Sequence, residues 1–238
     1  SMGDTAELLA AEGGITREEM DLWSESSHRR ATQALEKGFL SGEILPFKVT
    51  KPDGIETLID RDESIRSDTT YEKLATLPPA FRKNGSITAG NSSPLNSGAS
   101  MVLLMSEEKA LLNGIRPLAH IVSFGWGGVD PLVMGKGPLP ASRMALSQAG
   151  LTVNDIDYWE INEAFAVVPL WLIKKLSLDP EKVNINGGAI ALGHPLGATG
   201  ARLVGTLSRI MAEKSGTYGI ATICIGGGQG LATLLRSY

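Results

Sequence analysis

Hydrophobic and polar positions divide the chain near residue 86. Residues 4–40 read as helical. Thr5-Ala-Glu-Leu-Leu-Ala-Ala-Glu12 runs into Gly13-Gly14, and Thr16-Arg-Glu-Glu19 then restarts a helix with a capping-box pattern. That second helix, which includes Leu22, Ser26, Arg29 and Ala31, ends around Glu36-Lys-Gly38. It carries many charges and few large apolar side chains, so much of it is expected to face solvent, His28 included. Residues 41–85 hold only short apolar stretches among turn signals: strands around Glu43–Val49 and Glu56–Ile59, a Leu74–Leu77 segment, then Pro78-Pro79. Such a stretch is expected as an excursion laid over a larger body.

After residue 86 the apolar runs lengthen. The small, polar Ser86-Ile-Thr-Ala-Gly-Asn-Ser-Ser-Pro94 reads as a loop, and Met101-Val-Leu-Leu-Met105 as a buried strand. A helix follows over Glu107–Leu112, ending at Asn113-Gly114, and then a strand at His120–Phe124. Pro138 opens a helix that Gly150 stops, and Asp157–Ile161 is a short strand. Glu163–Leu176 is apolar on nearly every side, the pattern of a helix in a central layer, and Pro169 inside it predicts a kink. A further helix over Pro195–Lys214 and strands at Tyr218–Cys224 and Leu231–Leu235 close the chain. Alternating strands and helices from residue 120 onward argue an α/β fold. Gly98-Ala-Ser-Met-Val-Leu-Leu-Met-Ser106 also echoes Gly230-Leu-Ala-Thr-Leu-Leu-Arg-Ser237, weak evidence of a duplicated fold.

Composition narrows the function classes. A chain of 238 residues with 42% hydrophobic and 20% charged positions has the length and content to bury a core. Its net charge of −4 provides no general attraction to nucleic acid or acidic membrane surfaces, so neither is expected as a partner. The single Cys224 excludes an internal disulfide and a cysteine zinc site, and three scattered histidines offer no metal cluster. With no signal peptide, basic presequence or long apolar run in view, the expected location is cytoplasmic.

The stretch with most chemical content is Asn184–Leu203, in which five glycines (187, 188, 193, 197 and 200) surround His194 and Pro195. A residue before proline favours extended backbone, and proline suits the first turn of a helix. His194 is therefore expected at a helix N-terminus, where the dipole opposes protonation and favours a neutral base. The bland alternative is a tight loop with an incidental histidine. Two other loops share the design. Asn162 ends a strand, either as a helix N-cap or as a functional amide. Cys224 ends a strand at a glycine run, either as an inert core cysteine or as a reactive thiol. Ligands in α/β sheets gather beyond the C-terminal ends of strands, where all three residues fall. Together with the unhindered N–H of Gly226, they form a kit for acyl or carbanion chemistry. Phe81-Arg82-Lys83 is a basic-aromatic spot, either solvated surface or a contact for phosphate and a flat ring. The Lys-Ser/Thr of a P-loop is absent, and no complete GxGxxG follows a strand and opens a helix.

Three motifs in order, Asn162-Glu-Ala-Phe-Ala166, Asn186-Gly-Gly-Ala-Ile-Ala-Leu-Gly-His-Pro195 and Cys224-Ile-Gly-Gly-Gly228, resemble the C-terminal motifs of the thiolase family. Thr88-Ala-Gly-Asn91, Met134-Gly-Lys-Gly-Pro138 and Met2-Gly-Asp-Thr-Ala-Glu7 extend the likeness over essentially the whole chain. The resemblance implies a layered αβαβα fold and ping-pong acyl transfer between coenzyme A thioesters, in the direction of Claisen condensation or thiolysis. It implies no permanently bound cofactor; acetyl-CoA, acyl-CoA and 3-ketoacyl-CoA would be substrates. By analogy His194 activates a nucleophilic cysteine and, with a water held by Asn162, binds the thioester oxygen. Cys224 moves the α-carbon proton, and Gly226 joins an oxyanion hole. Ser93, Phe81, Arg66, Ala164, Phe165 and Met2 match positions lining the coenzyme A site.

Cys224 matches the family's proton-transferring cysteine and not its nucleophile. The chain is therefore expected to be a C-terminal portion that lacks the N-terminal, nucleophile-bearing half. On this reading residues 1–85 form a coenzyme-A-binding loop domain, 86–115 the last strand and helix of the N-terminal domain, and 116–238 the C-terminal domain. Such a fragment would be inactive alone and would need that half as a partner. A homodimer or homotetramer is the assembly the family implies. The alternative function is a non-catalytic acyl-CoA-binding or interaction module derived from a thiolase.

Overall fold

The computed structural model describes all 238 residues. Helix α1 (Met2–Gly13) starts on a capping box at Ser1 and stops at Gly14, whose left-handed backbone closes it. Helix α2 (Arg17–Glu36) starts on the expected capping box at Thr16. An antiparallel hairpin of β1 (Phe47–Thr50) and β2 (Glu56–Ile59) and the short α3 (Tyr71–Ala75) follow. Both hairpin strands are largely exposed, as an excursion over a larger body should be. Helix α4 (Glu107–Leu112) precedes β3 (Ala119–Gly128), α5 (Pro138–Ala149), β4 (Tyr158–Ile161), α6 (Val167–Leu176), the single turn α7 (Ala189–Leu192), α8 (Leu196–Lys214), β5 (Tyr218–Ile225) and β6 (Gln229–Ser237).

Four strands form one sheet in the order β3-β6-β5-β4, parallel only between β4 and β5. One face receives α5, which approaches so closely that a side chain at Gly125 would enter the Ala141 carbonyl. Leu203, Leu207 and Met211 of α8 pack on the other face against Ala221 and Leu235. Helix α6 packs against α1 and α5, with its first turns buried and Lys174 and Lys175 exposed at its end. A single cluster of 27 buried residues joins Leu9 of α1 and Trp23 of α2 to Trp159, Val168, Leu172, Ile220 and Cys224. The first helices therefore share their core with the sheet.

Several expectations need correction. Helix α2 is not mainly exposed: Met20, Asp21, Trp23, Ser24, Ser27, His28 and Arg30 are all buried on it. Its polar side chains tolerate burial because they are paired. Asp21 takes Arg17 at 2.6 Å and the Asn91 amide at 3.0 Å, and Arg30 reaches the Val183 carbonyl at 2.6 Å. His28, expected at the surface, is 6% exposed and accepts the Arg66 N–H at Nδ1. Burial, followed by the charge of Arg66, pushes its pKa down to about 4.

Met101–Met105 is neither a strand nor buried. It pairs with no strand, and Met101 is 92% exposed. The echo with residues 230–237 is therefore not matched by a second strand, although β6 itself forms. Pro169 causes no interior break. Helix α6 begins at Val167 rather than Glu163, so Pro169 stands in the first turn, where no intrahelical donor is lost.

A buried charge cluster joins β4, α8 and the early chain. Glu160 is fully buried with Arg202 at 3.4 Å, and Glu43 takes Arg209 at 3.4 Å and the Thr206 hydroxyl at 3.0 Å. Burial outweighs Arg202 and pushes the Glu160 carboxyl up to about 8, with Glu43 and Glu163 adding in the same direction. A folded pKa above the unfolded one means that the native state holds the extra proton. Glu160 therefore contributes stability that is complete below about pH 4.5 and lost as pH rises to about 8. Glu160→Gln should make the decline of urea-unfolding stability across that window shallower. An unchanged slope would remove Glu160 from this role.

Candidate active site

The site is assembled at the C-terminal ends of the parallel pair β4–β5. Asn162, the residue after β4, donates its N–H to the Thr222 carbonyl at 2.9 Å, which sets it beside the end of β5. Helix α6 begins five residues beyond it at Val167, with Ala166 in the N-cap position and no side-chain cap, so the N-cap reading of Asn162 is wrong. Its fully buried side chain instead turns to His194, with Nδ2 3.3 Å from Nε2. Asn162 Oδ1 is buried and has no donor from the protein, so the amide keeps an acceptor for a ligand or solvent.

His194 is half-buried, immediately before the Pro195 cap of α8. Gly193 precedes it at φ 102, and Asn96 packs so tightly there that a side chain on Gly193 would collide with it. The Asn96 carbonyl oxygen Oδ1 accepts the His194 N–H at 3.0 Å, and Ser100 Oγ donates to the Ala198 carbonyl at 2.5 Å. Segment 96–100 thus straps the glycine loop to the start of α8. The imidazole Nδ1 lies 2.7 Å from the Thr199 hydroxyl. Burial holds the His194 pKa below the usual histidine value, and the Arg202 charge adds to that. A neutral ring was expected from the helix dipole; desolvation is the leading cause here.

Cys224 is buried at the end of β5, paired with Gly230 across the β5–β6 turn. Burial pushes its thiol up to about 12, so at neutral pH it is protonated. Gly226, in that turn, is exposed and its N–H makes no backbone hydrogen bond. Met2 Sδ lies against it, 3.7 Å from where a side-chain carbon on Gly226 would stand.

The six other expected residues divide. Ser93 donates both N–H (3.1 Å) and Oγ (3.2 Å) to the Ala164 carbonyl, and Phe165 meets Phe81 edge-on with centroids 6.0 Å apart. Phe81 in turn packs on Gly3, next to Met2. Ser93, Ala164, Phe165, Phe81, Met2 and Gly226 therefore form a continuous lining. Arg66 makes no hydrogen bond to it; its backbone N–H goes to the buried His28 Nδ1. Arg82 is also committed, to Asp4 at 2.9 Å.

Residue-by-residue reading overlooked what holds these groups. Glu163 is 0% exposed and has no cationic partner. Its Oε1 accepts from Trp23 Nε1 (2.9 Å) and Asn184 Nδ2 (2.8 Å), and its Oε2 from Ser27 Oγ (2.7 Å) and the Ile190 N–H (3.1 Å). Asn184, held at φ 48, also pairs both its amide atoms with the Ile161 backbone at 2.8 Å. The available signal was an acid directly before an apolar helix, a position where an unpaired carboxylate is not tolerated.

A neutral imidazole, an amide and a protonated thiol are groups able to serve acid–base chemistry. Comparison with known proteins gives the family. The profile described as "Thiolase, C-terminal domain" matches residues 115–237, and "Thiolase, N-terminal domain" matches residues 1–108. The chain belongs to the thiolase family.

The "3-ketoacyl-CoA thiolase" proteins of Hahella chejuensis and Marinobacter nauticus are each 52% identical over 237 residues, 98% of this chain and 61% of theirs. The crystal structure of the Bacillus anthracis acetyl-CoA acetyltransferase has a TM-score of 0.97 at 46% identity, covering all of this chain and 60% of that one. The human mitochondrial 3-ketoacyl-CoA thiolase in complex with CoA gives 0.90 at 40% identity, covering 100% of this chain and 59% of that one. The fold is thus an α/β thiolase-like one, over about three-fifths of the relatives' length. One expectation falls here. The chain is not a C-terminal portion without the N-terminal domain, since its first 108 residues match that domain's profile.

Glu163→Gln should expose the need for a carboxylate. The amide –NH2 would meet at least one N–H donor head-on, and a buried unsatisfied donor costs about 1–3 kcal/mol. A lowered urea midpoint at unchanged slope is expected, and a midpoint equal to that of the wild type would show that the four donors do not need the charge.

Proposed function

We propose that these residues carry the acid–base half of a thiolase reaction, the transfer of an acyl group between coenzyme A thioesters by Claisen condensation or its reverse. The single observation that carries the reading is the Asn162–His194 pair, with its free amide oxygen, at the strand ends where Cys224 also lies. The likeness to a structure solved with CoA supports coenzyme A as the ligand class.

The protonation states suit the chemistry. In thiolysis the bond between the α- and β-carbons breaks and leaves an enolate on the departing acyl-CoA. A neutral thiol is the form that can protonate that carbon, and Cys224 rests in that form. In condensation the same thiol must first give up its proton, then take one from the α-carbon. His194, kept neutral, has a ring nitrogen able to accept a proton from an attacking thiol; once it holds that proton, the N–H can, with the Asn162 amide, polarise a thioester oxygen. The Gly226 N–H serves a second oxyanion. Cys224 is the only cysteine in the sequence, so the thiol that carries the acyl group in this scheme comes from outside these 238 residues.

The Met2, Phe81, Ser93, Ala164 and Phe165 lining is assigned to the pantetheine and nucleotide portions of coenzyme A. Arg66 is assigned there on the family resemblance alone. Residues 1–85 then act as the coenzyme-A-binding loop domain, 86–115 as the end of the N-terminal domain and 116–238 as the C-terminal domain. The layered αβαβα arrangement and a dimer or tetramer belong to the same proposal. A non-catalytic acyl-CoA-binding module is the second reading, favoured only by the single thiol.

Calorimetry with coenzyme A and a thiolysis assay with acetoacetyl-CoA separate the two. Binding without turnover is expected of the 238-residue chain. A chain extended to the relatives' full length should turn over, and His194→Ala or Cys224→Ala in it should lower kcat by about 10²–10⁴. Binding without turnover in the extended chain would establish the module instead, and an absence of binding to either chain would defeat both readings.

A further inference from the structure

The His194 ring has two nitrogens and only one of them can be the base. Which one is free follows from a chain of hydrogen bonds through α8. Thr199 is 1% exposed, and its hydroxyl lies 2.8 Å from the Pro195 carbonyl and 2.7 Å from His194 Nδ1. A hydroxyl has a single proton. Directed to the Pro195 carbonyl, one turn back along the helix, it leaves only lone pairs facing the ring, so Nδ1 must carry a hydrogen to make its bond. The other nitrogen meets a donor: Asn162 Nδ2 lies 3.3 Å from Nε2, which accepts only if it is unprotonated. Both ends of the ring thus select the same form.

We propose that Thr199 is a positioning residue that locks His194 in the Nδ1–H tautomer and leaves the Nε2 lone pair, beside Asn162, as the base. The opposite tautomer would require the Thr199 hydroxyl to turn away from Pro195 and the Asn162 amide to rotate. The same arrangement disfavours the imidazolium, whose Nε2–H would face the Asn162 –NH2 group. The low pKa of His194 agrees with this. The consequence for catalysis rests on the proposed role of His194 as a base; the tautomer itself does not.

The test reads the tautomer without substrate. In a sample with 15N-labelled histidine rings at pH 7.5, the His194 signals are assigned by their loss in His194→Gln. The expected pattern is a pyrrole-type signal for Nδ1 and a pyridine-type signal for Nε2. Thr199→Val, which keeps the shape and removes the hydroxyl, should produce a mixture or a reversal; Thr199→Ser should restore the wild-type pattern.

A pyrrole-type Nε2 in the wild-type protein overturns the proposal, as does a Thr199→Val spectrum identical to the wild type. Should Thr199→Val fail to fold, the wild-type and Thr199→Ser spectra still decide, since either can show the wrong tautomer. In a catalytically competent full-length chain, Thr199→Val should lower kcat about tenfold with KM little changed, and Thr199→Ser should recover it. If the tautomer pattern holds and that extended chain shows no turnover, the functional reading fails and the positioning role stands.

Discussion

The structure depends on one buried carboxylate. Glu163 has no exposed surface and no counter-charge, so its burial is tolerable only while all four donors reach it. Those donors come from α2, from the Asn184 turn and from the backbone entering α7. Satisfying one side chain therefore brings α2 and the 184–190 segment to the end of β4. The candidate site groups lie one step away. Asn162 is its chain neighbour, the glycine loop carrying His194 follows Ile190, and Ser27 spans Glu163 and the Gly188 N–H at 3.0 Å. A carboxylate that must be fully satisfied makes a stiff support, because small displacements strand a donor or an acceptor in a dry interior.

Desolvation then sets the charge state of the groups placed on that support. Burial leads for both His194 and Cys224, keeping the first deprotonated and the second protonated. Arg202 extends this logic to the buried cluster behind α8. It pairs with Glu160 and also opposes protonation of His194, so the cluster and the site share one cation. Neutral partners fit a reaction whose charge develops on the substrate, where oriented dipoles stabilise it without an opposing charge already fixed in place.

The face that receives α8 is only partly covered. Helix α8 covers the β4–β5 side, while Phe124 and Trp126 of β3 and Leu231 of β6 are 46%, 61% and 40% exposed. Met101, Leu103 and Leu104 are exposed nearby, and a shallow apolar groove runs between Val102, Leu104, Phe124 and Val204. The chain spans 61% of the length of the relatives it matches.

The sequence alone determined most of the local elements and pointed to the candidate reactive groups. Capping boxes, glycine stops and alternating apolar runs located α1, α2, α5, α8, β5 and β6, because those signals act within a few residues. Three ordered motifs were enough to mark Asn162, His194 and Cys224 as candidates, since chemistry restricts which side chains can occupy such loops. Tertiary structure decided everything that depends on a partner distant in the chain. Met101–Met105 has the composition of a buried strand but no strand beside it, and α2 looks exposed until its polar side chains find Glu163, Asn91 and Val183. Asn162 reads equally well as a cap until α6 starts five residues later, at Val167. The tautomer of His194 was likewise invisible, because it depends on where one hydroxyl proton and one amide point in space.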